Sequence, residues 1–249
     1  MAPPPSKIVV RELWRYPVKS LLGERLESAE IGPAGVAGDR AWAVRDAATG
    51  RVLSAKRWFG LFAFAARYPA GPGEEPEIVT PRGEALAPAR AAQALSDALG
   101  LRVELVRPRA GETPVFDYGA PSRAPSELFF DAEPVHVIAE GCLAALRAAE
   151  PSADFDPRRF RPNLVVSGAD DAALAGNDLA VGKKLRLRVR LKRTGRCVMT
   201  TLGQDDLPGS PKVLKTVARR MEGKAGTYAR ILSPGTVAVG DVVLVGAQA

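Results

Sequence analysis

The sequence predicts an α+β protein that is rich in β-structure, and three observations lead to this prediction. Twenty-four Gly and 21 Pro residues separate many short apolar runs, which is typical of numerous turns and short strands. Helical periodicity is confined to a few short segments, which argues against a helical bundle. The 249 residues are 46% hydrophobic, so the chain can bury a sizeable core in two modest domains or one elaborate one.

The first half of the chain predicts a meander rather than a series of βαβ units. Short apolar runs alternate with turn residues such as Gly32 and Pro33, and residues 46–50 predict a hairpin turn. One helix is indicated by Pro88 before its start and Gly100 at its end. The predicted strands are 8–14, 25–31, 41–44, 52–54 and 101–106, and the predicted helix is 90–99.

In the second half, the sequence predicts further short strands and two helices. The second helix is expected to begin with Ser210 as its N-cap and Pro211 as its first helical residue. The stretch 107–132 lacks periodicity. We therefore expect a first domain at 1–107, a connecting segment at 108–132 and a second domain at 133–249. The predicted strands of this half are 135–139, 164–166, 183–193, 228–232, 236–239 and 242–245, and its helices are 141–149 and 211–222.

Composition excludes several classes of protein. Residues 1–7 lack the apolar core of a signal peptide, and the longest apolar stretch, 58–66, is too short to span a bilayer. We expect a soluble, cytoplasmic protein with no membrane partner.

Two cysteines are too few for a disulfide framework or a four-cysteine iron–sulfur cluster. His136 is the single histidine, which excludes a zinc site with two or three His ligands, and we interpret it as structural.

The net charge of +7 predicts an anionic ligand or partner. Nucleic acid is not expected as a partner, because the chain lacks an RNA-binding aromatic motif and is 6% aromatic.

One strand is unusual in that apolar and cationic residues alternate strictly between Lys183 and Arg193. We interpret its cationic face either as ordinary solvated surface or as a docking site for an acidic partner. The cations of this face are Arg186, Arg188, Arg190 and Lys192.

The best candidate for a functional site is the segment 190–201, in which Cys197 follows a run of cations. A thiol beside fixed positive charge ionises more readily, so Cys197 is a candidate ligand for a soft metal or a nucleophile. The alternative is an inert, half-buried cysteine in a strand. The alternation places Cys197 with the apolar side chains, so it is expected to point inward unless a bulge intervenes. Cys142 is interpreted as a packing residue.

Four segments that are distant in sequence offer cations or small polar groups in loops beside strands. They are 19–20, 39–40, 161–163 and 195–197. Arg161 and Asn163 flank Pro162, so an extended backbone at a strand entrance is expected to hold them, either for an anion or for a structural ion pair. If the four segments converge, they form a pocket for an anionic ligand with a thiolate at its floor.

Five motifs follow one another along the chain, within roughly residues 8–245. They are Tyr16-Pro-Val-Lys-Ser20, Gly38-Asp-Arg-Ala-Trp42, Phe160-Arg-Pro-Asn-Leu-Val-Val166, Arg196-Cys197 with Thr200-Thr201, and Pro234-Gly-Thr-Val-Ala-Val-Gly-Asp241. This ordered set resembles the MOSC proteins. The similarity is greatest to the branch with an N-terminal MOSC β-barrel domain, which includes the mitochondrial amidoxime-reducing component and its bacterial relatives.

The resemblance implies an N-terminal MOSC β-barrel domain, a MOSC β-barrel domain with a few short helices, and a molybdenum–pyranopterin cofactor (Mo-molybdopterin). By the family pattern, Cys197 is the thiolate ligand of molybdenum and the catalytic residue. The positions that match the residues holding the pterin and its phosphate are Lys19, Ser20, Arg40, Arg161, Asn163 and Arg196. Fixed cations suit a phosphate, and a soft thiolate suits the metal.

The chain departs from the family pattern in two ways. Bacterial relatives often carry a ferredoxin domain, and this chain has no cysteines for one. Electrons for a reductase would then come from a separate ferredoxin-like or other acidic donor protein. Ala139 precedes Glu140 where relatives often have Ser-Glu, so one hydrogen bond to the cofactor is expected to be missing.

The resemblance favours a molybdenum-dependent oxidoreductase that reduces small N-hydroxylated compounds, such as amidoximes and hydroxylamino nucleobases. The alternative is a carrier of molybdenum cofactor or of sulfur, with a persulfide on Cys197 and no catalytic turnover. A third interpretation, a basic RNA-binding protein, is the least favoured.

Overall fold

The computed structural model describes residues 7–109, 113–119, 129 and 133–246. Most of the predicted connecting segment 108–132 lies outside these residues, and the predicted domain boundaries stay a prediction. The described strands are β1 (Val9–Arg15), β2 (Glu24–Leu26), β3 (Ser28–Gly32), β4 (Gly35–Val36), β5 (Ala43–Asp46), β6 (Ala65–Arg67), β7 (Glu77–Val79), β8 (Ala85–Leu86), β9 (Val103–Val106), β10 (Val135–Ala139), β11 (Leu164–Ser167), β12 (Asp178–Val181), β13 (Leu185–Val189), β14 (Thr227–Ser233), β15 (Gly235–Ala238) and β16 (Val243–Gly246).

Four α-helices and three short 3₁₀ turns complete the secondary structure of the described residues. The helices are α1 (Pro88–Leu99), α2 (Glu140–Ala149), α3 (Asp171–Leu174) and α4 (Pro211–Met221), and the 3₁₀ turns are Phe59–Ala63, Pro157–Phe160 and Val198–Thr201. The β-rich α+β prediction is confirmed. None of the helices in the described part of the chain combines the length and the apolar character needed to cross a membrane.

The largest sheet has eight strands in the order β16-β12-β13-β14-β10-β11-β1-β2. Val9 forms an antiparallel bridge with Val242, and the amide of Val243 donates to the carbonyl of Ile8 at 2.8 Å. These bonds join the first strand to the last, so the sheet closes into a barrel. The barrel interior is apolar, with Val10, Leu187 and Val243 among its buried side chains.

A second core lies in the first half of the chain. Helix α1 buries Ala91 and Leu95 against aromatic and aliphatic side chains that include Trp42. Its start at Pro88 and its left-handed end at Gly100 follow the predicted signals. Two small sheets flank this core, one of β6, β7 and β8 and the other of β5 and β9. Helices α2 and α4 pack together on the outer face of the barrel.

Some predicted elements differ from the structure. The strand predicted at 25–31 is two strands, because β2 pairs with β1 whereas β3 pairs with β15 in another sheet. The return strand predicted at 52–54 is reduced to isolated bridges of Val52 with Arg45 and Phe116. The second half also contains one βαβ unit, in which β10 and β11 are parallel and α2 connects them.

Asp171 links three elements near one end of the barrel. Its buried carboxylate accepts a hydrogen bond from the amide of Ala139 at 2.9 Å, where β10 ends, and another from the amide of Gly226, just before β14. Because both donors are buried, removal of the carboxylate leaves two backbone N–H groups without a partner.

We expect Asp171→Ala to lower the free energy of unfolding by about 3 kcal/mol, since each orphaned buried donor costs roughly 1–3 kcal/mol. The matched control is Asp170→Ala, which removes an exposed carboxylate that accepts from Ala173 at 2.8 Å and should cost about 1 kcal/mol. Urea unfolding of both variants measures the difference. Equal losses would contradict the linking role of Asp171.

Candidate functional site

One cavity of about 400 Å³ lies where loops of the first half meet the barrel. The predicted convergence of Lys19, Arg40, Arg161 and Cys197 in one cleft is confirmed, since all four line this cavity. It is also lined by the other residues predicted for the site, Ser20, Asn163 and Arg196. The roles of these seven residues toward a ligand stay predictions.

The turn at Lys19 and Ser20 brings two of these residues to the cavity. The amide of Leu21 donates to the carbonyl of Val18 at 3.2 Å, and Ser20 has φ +66°. A β-turn with a positive φ at its third residue is of type II, which normally takes glycine there. The ammonium group of Lys19 lies 4.4 Å from the ring centre of Phe116, which holds this buried cation by a cation–π contact.

Arg40 is fixed by its neighbour Asp39 and by Tyr16. Asp39 is fully buried; one carboxylate oxygen accepts from the amide of Tyr16 at 2.7 Å, and the other accepts from the Arg40 guanidinium. The amide of Arg40 donates to the carbonyl of Tyr16 at 2.7 Å. Burial disfavours the charged guanidinium, but Asp39 together with Tyr228 and Tyr16 outweighs this effect and holds the pKa of Arg40 above its ordinary value. Arg40 therefore stays a fixed cation.

Arg161 follows the 3₁₀ turn Pro157–Phe160 and has φ +53°. The expected extended backbone at this residue is wrong, because Arg161 ends the turn in the left-handed region and donates its amide to the carbonyl of Arg158 at 3.1 Å. Its guanidinium donates to the carbonyl of Leu21 at 2.7 Å and stacks 4.1 Å from the ring centre of Tyr16. Arg161 thereby joins the barrel end to the loop of Lys19.

Asn163 and Arg196 use much of their hydrogen-bonding capacity on the protein. Asn163 accepts from the amide of His136 at 3.1 Å and donates to the carbonyl of Trp14 at 3.3 Å, so it connects β10 with β1. Arg196 donates from Nε to the carbonyl of Ala225 at 2.7 Å. Its two terminal nitrogens donate to the carbonyl of Phe160 at 3.1 Å and to Nε2 of His136.

Cys197 lies in the cavity wall, so the predicted inward orientation with the apolar side chains of the strand is wrong. The reason is that β13 ends at Val189, and a loop separates that strand from Cys197. Alternation of side chains holds only within a strand. Cys197 precedes the 3₁₀ turn Val198–Thr201, its thiol is partly exposed, and its carbonyl accepts from the hydroxyl of Thr200 at 3.0 Å.

The predicted cationic face of this strand divides into two parts. Within β13, Arg188 forms an ion pair with Asp178 at 2.8 Å, so its charge is locally balanced, whereas Arg186 is exposed. Beyond the end of β13, Arg190 and Lys192 line the cavity instead of continuing the outer face. The loop that reorients Cys197 also brings these two cations to the site.

The cavity is strongly cationic. Nine of its 20 lining residues are Lys or Arg, and the one acidic residue among them is Glu133, which pairs with Arg190 at 2.6 Å. The cavity cations that were not among the predicted binding residues are Lys56, Arg159, Arg190, Lys192 and Arg193, and the last three lie in the candidate segment 190–201. The run of cations before Cys197 in the sequence could have indicated that Arg190, Lys192 and Arg193 belong to the site. Lys56 and Arg159 carry no motif that places them there.

The two cysteines differ in environment. Cys142 is buried on α2 with its sulfur 3.5 Å from that of Met221, and the predicted packing role is confirmed. Burial raises the pKa of the Cys142 thiol far above its ordinary range, and the nearby Asp171 raises it further. Cys142 is therefore an inert thiol, whereas Cys197 is partly open to a cavity that carries fixed positive charge.

His136 lies on β10 beside the cavity and is 2% exposed. Burial lowers the pKa of its imidazole well below 6.5, and the neighbouring cations Arg196 and Arg40 lower it further. Tyr228 also lies against the ring, with the two ring centres 5.3 Å apart. His136 is therefore neutral in the folded protein at neutral pH.

This environment makes stability depend on pH. The unfolded chain protonates His136 near pH 6.5, whereas the folded chain resists protonation until a lower pH. Below 6.5 the unfolded state thus binds more protons, and the free energy of unfolding should fall with decreasing pH by up to about 1.4 kcal/mol per pH unit. We expect His136→Gln to remove this component between about pH 5 and 7. Equal slopes for the two proteins in urea unfolding would contradict it.

Comparisons with known proteins identify the two parts of the chain. Residues 7–97 match the MOSC N-terminal beta barrel domain, and residues 125–244 match the MOSC domain. The YuaD protein of Bacillus subtilis has a similar fold, with a TM-score of 0.54 and 13% identity over 98% of both chains. YiiM of Geobacillus stearothermophilus matches 46% of this chain and 54% of its own, with a TM-score of 0.36 and 17% identity. No curated protein sequence matches significantly.

MOSC domains are associated with proteins that bind the molybdenum cofactor. The two family matches together cover most of the chain, and the closed sheet agrees with them. The chain belongs to the MOSC proteins, with an N-terminal MOSC β-barrel domain followed by a MOSC domain.

Proposed function

We propose that this protein is a molybdenum-cofactor-dependent reductase of small N-hydroxylated compounds. The observation that supports the proposal most is the position of the Cys197 thiol in a cavity that nine cationic side chains surround. A soft thiolate is a suitable metal ligand, and the cations suit an anionic cofactor. The family association with molybdenum cofactor makes a molybdenum–pyranopterin the expected ligand.

The residues of the cavity fit such a group. No cluster of three or more His, Cys, Asp and Glu side chains that could hold a metal occurs among the described residues. A metal held by Cys197 would therefore take its other ligands from a bound small molecule, as a pyranopterin dithiolene provides. The hydroxyl oxygen of Thr194, which lines the cavity, is buried without a hydrogen-bond partner in the described part of the chain.

In this proposal Cys197 would ligate molybdenum. The residues that would hold the pterin and its phosphate are Lys19, Ser20, Arg40, Arg161, Asn163 and Arg196. The bound group would supply two-electron redox chemistry. The protein fixes the cations in advance, so their positive charge needs no rearrangement when an anion enters. Reduction of an N–OH group consumes two electrons and two protons and releases water. Some lining residues, such as Lys192 and Gly195, are exposed, so the small substrate and this water can exchange with solvent.

The first test replaces the thiol. We expect Cys197→Ser to lower turnover of a hydroxylamine substrate by at least about 100-fold, because the serine hydroxyl is much harder to deprotonate than the cysteine thiol and cannot replace the thiolate ligand. Cys142→Ala is the matched control; it lies outside the cavity and should retain activity. Molybdenum and pterin contents are measured for each variant. Unchanged N-reduction by Cys197→Ser with full molybdenum would overturn the assignment.

A carrier of sulfur or molybdenum cofactor is the second candidate, because the partly exposed Cys197 would also be accessible to a sulfur donor. A carrier would show a persulfide adduct of about 32 Da on Cys197 by mass spectrometry and no catalytic N-reduction with any donor. A reductase would show turnover and no dependence on that adduct.

We also propose that a separate acidic protein, such as a ferredoxin-like protein, supplies the electrons. The support is electrostatic, since Arg186 and Arg230 are exposed on the outer face of neighbouring strands, and Lys192 and Arg193 continue the positive charge to the cavity. Arg188 contributes less because Asp178 balances it. Positive surface of this kind accelerates association with an acidic partner.

Charge reversal tests this partner. The double variant Arg186→Glu, Arg230→Glu should slow reduction by an acidic ferredoxin more than about 10-fold at low salt, while dithionite-driven activity stays unchanged. The control is Arg51→Glu, Arg82→Glu, which changes the net charge equally at exposed positions of the first half. Stopped-flow rates with both reductants measure the effect. Equal slowing by the two double variants would show that net charge, not this surface, is responsible.

A further inference from the structure

We propose that His136 is a positioning residue that orients Arg196 toward an anion bound in the cavity. The residue contacts three of the residues assigned to the site. Its amide donates to the Asn163 side chain at 3.1 Å, its carbonyl accepts from the Asn163 amide at 2.8 Å, and its ring lies between Arg161 and Arg196. The proposal rests on the proposed function only for the identity of the anion.

The contacts define which ring nitrogen carries the proton. A guanidinium has donors and no acceptor, so Nε2 of His136 must accept from Arg196. The proton of the neutral ring is then on Nδ1, which faces the carbonyl of Arg161 at 3.4 Å. One ring therefore couples the orientation of the Arg196 side chain to the backbone of Arg161.

Gly226 lies against the His136 ring and leaves room for it because glycine has no side chain. A Cβ atom at that position would lie 2.3 Å from Nε2 of His136, and Gly226 has φ +68°. The preceding residue, Ala225, accepts from Nε of Arg196 at 2.7 Å. The loop before β14 thus holds the guanidinium from one side while His136 holds it from another.

Orientation matters because Arg196 has five N–H donors. Three of them bind Ala225, Phe160 and His136, which leaves two for an anion in the cavity. A neutral imidazole can accept from Arg196 without adding charge to a cavity that already carries nine cations. A Lys or Arg in its place would repel Arg196, and an aliphatic residue would leave that donor without a partner.

Two conservative substitutions distinguish the roles of the two ring nitrogens of His136. His136→Gln can place a carboxamide oxygen near the position of Nε2 and keep the acceptor for Arg196. His136→Asn can place an NH₂ group near Nδ1 and keeps only the contact with the Arg161 carbonyl. In the purified full-length chain, we expect His136→Asn to weaken pyrophosphate binding at least about 10-fold and His136→Gln less than about 3-fold, measured by calorimetry.

Nuclear magnetic resonance tests the hydrogen bonds of the His136 ring directly, independently of any change in the stability of the variants. His136 is the single histidine, so its ring ¹⁵N signals are unambiguous, and they should show a protonated Nδ1 and an unprotonated Nε2. Pyrophosphate should shift the Nε2 signal through Arg196. In an Arg196→Ala background the two His136 variants should bind pyrophosphate equally, because the residue acts through Arg196.

The outcomes separate this proposal from the proposed function. A protonated Nε2, equal losses in the Gln and Asn variants, or a difference that persists without Arg196 would each overturn the positioning role. If the wild-type chain fails to bind pyrophosphate, the anion site of the proposed function is wrong, and the ring ¹⁵N signals still decide whether His136 accepts from Arg196.

Discussion

The crowding of like charges around one cavity is the constraint on which the rest of this structure depends. Each cation must be held against the repulsion of its neighbours, and the protein does so mainly with groups that carry no full charge. Arg161 and Arg196 donate to backbone carbonyls, Lys19 faces an aromatic ring, and Arg159 is buried with three carbonyl partners. Because dipoles stabilise a cation without cancelling its charge, the cavity keeps a positive field for an anion.

The backbone has a matching feature. Five described residues other than glycine have a positive φ, and Ser20, Arg40 and Arg161 are three of them. Each such residue costs of order 1 kcal/mol and persists where surrounding contacts fix it. Glycine would remove this cost but also the side chain that faces the cavity. At Arg40 and Arg161 the strain is thus a consequence of presenting a cationic side chain from a turn, and at Ser20 it accompanies a hydroxyl group.

Sequence reasoning succeeded where local chemistry determined the outcome and failed where tertiary contacts did. Helix α1 was predictable from Pro88 and Gly100, and the alternation of β13 from its apolar residues. The orientation of Cys197 was not, because the end of β13 at Val189 is set by pairing with β12 and β14. The contact of His136 with Arg196 could not be predicted either, since Arg196 lies 60 residues away in sequence.

Closure of the barrel has a consequence for how the protein is made. Strand β1 pairs with β11 and forms a bridge beside β16, so the barrel of the MOSC domain includes a strand that the N-terminal domain supplies. A ribosome releases β16 long after β1, and the barrel cannot close until both are free. The cavity is lined by residues of both halves of the chain, including Lys19, Arg40 and Cys197. A cofactor bound there, as proposed above, would therefore have to enter after both halves have folded.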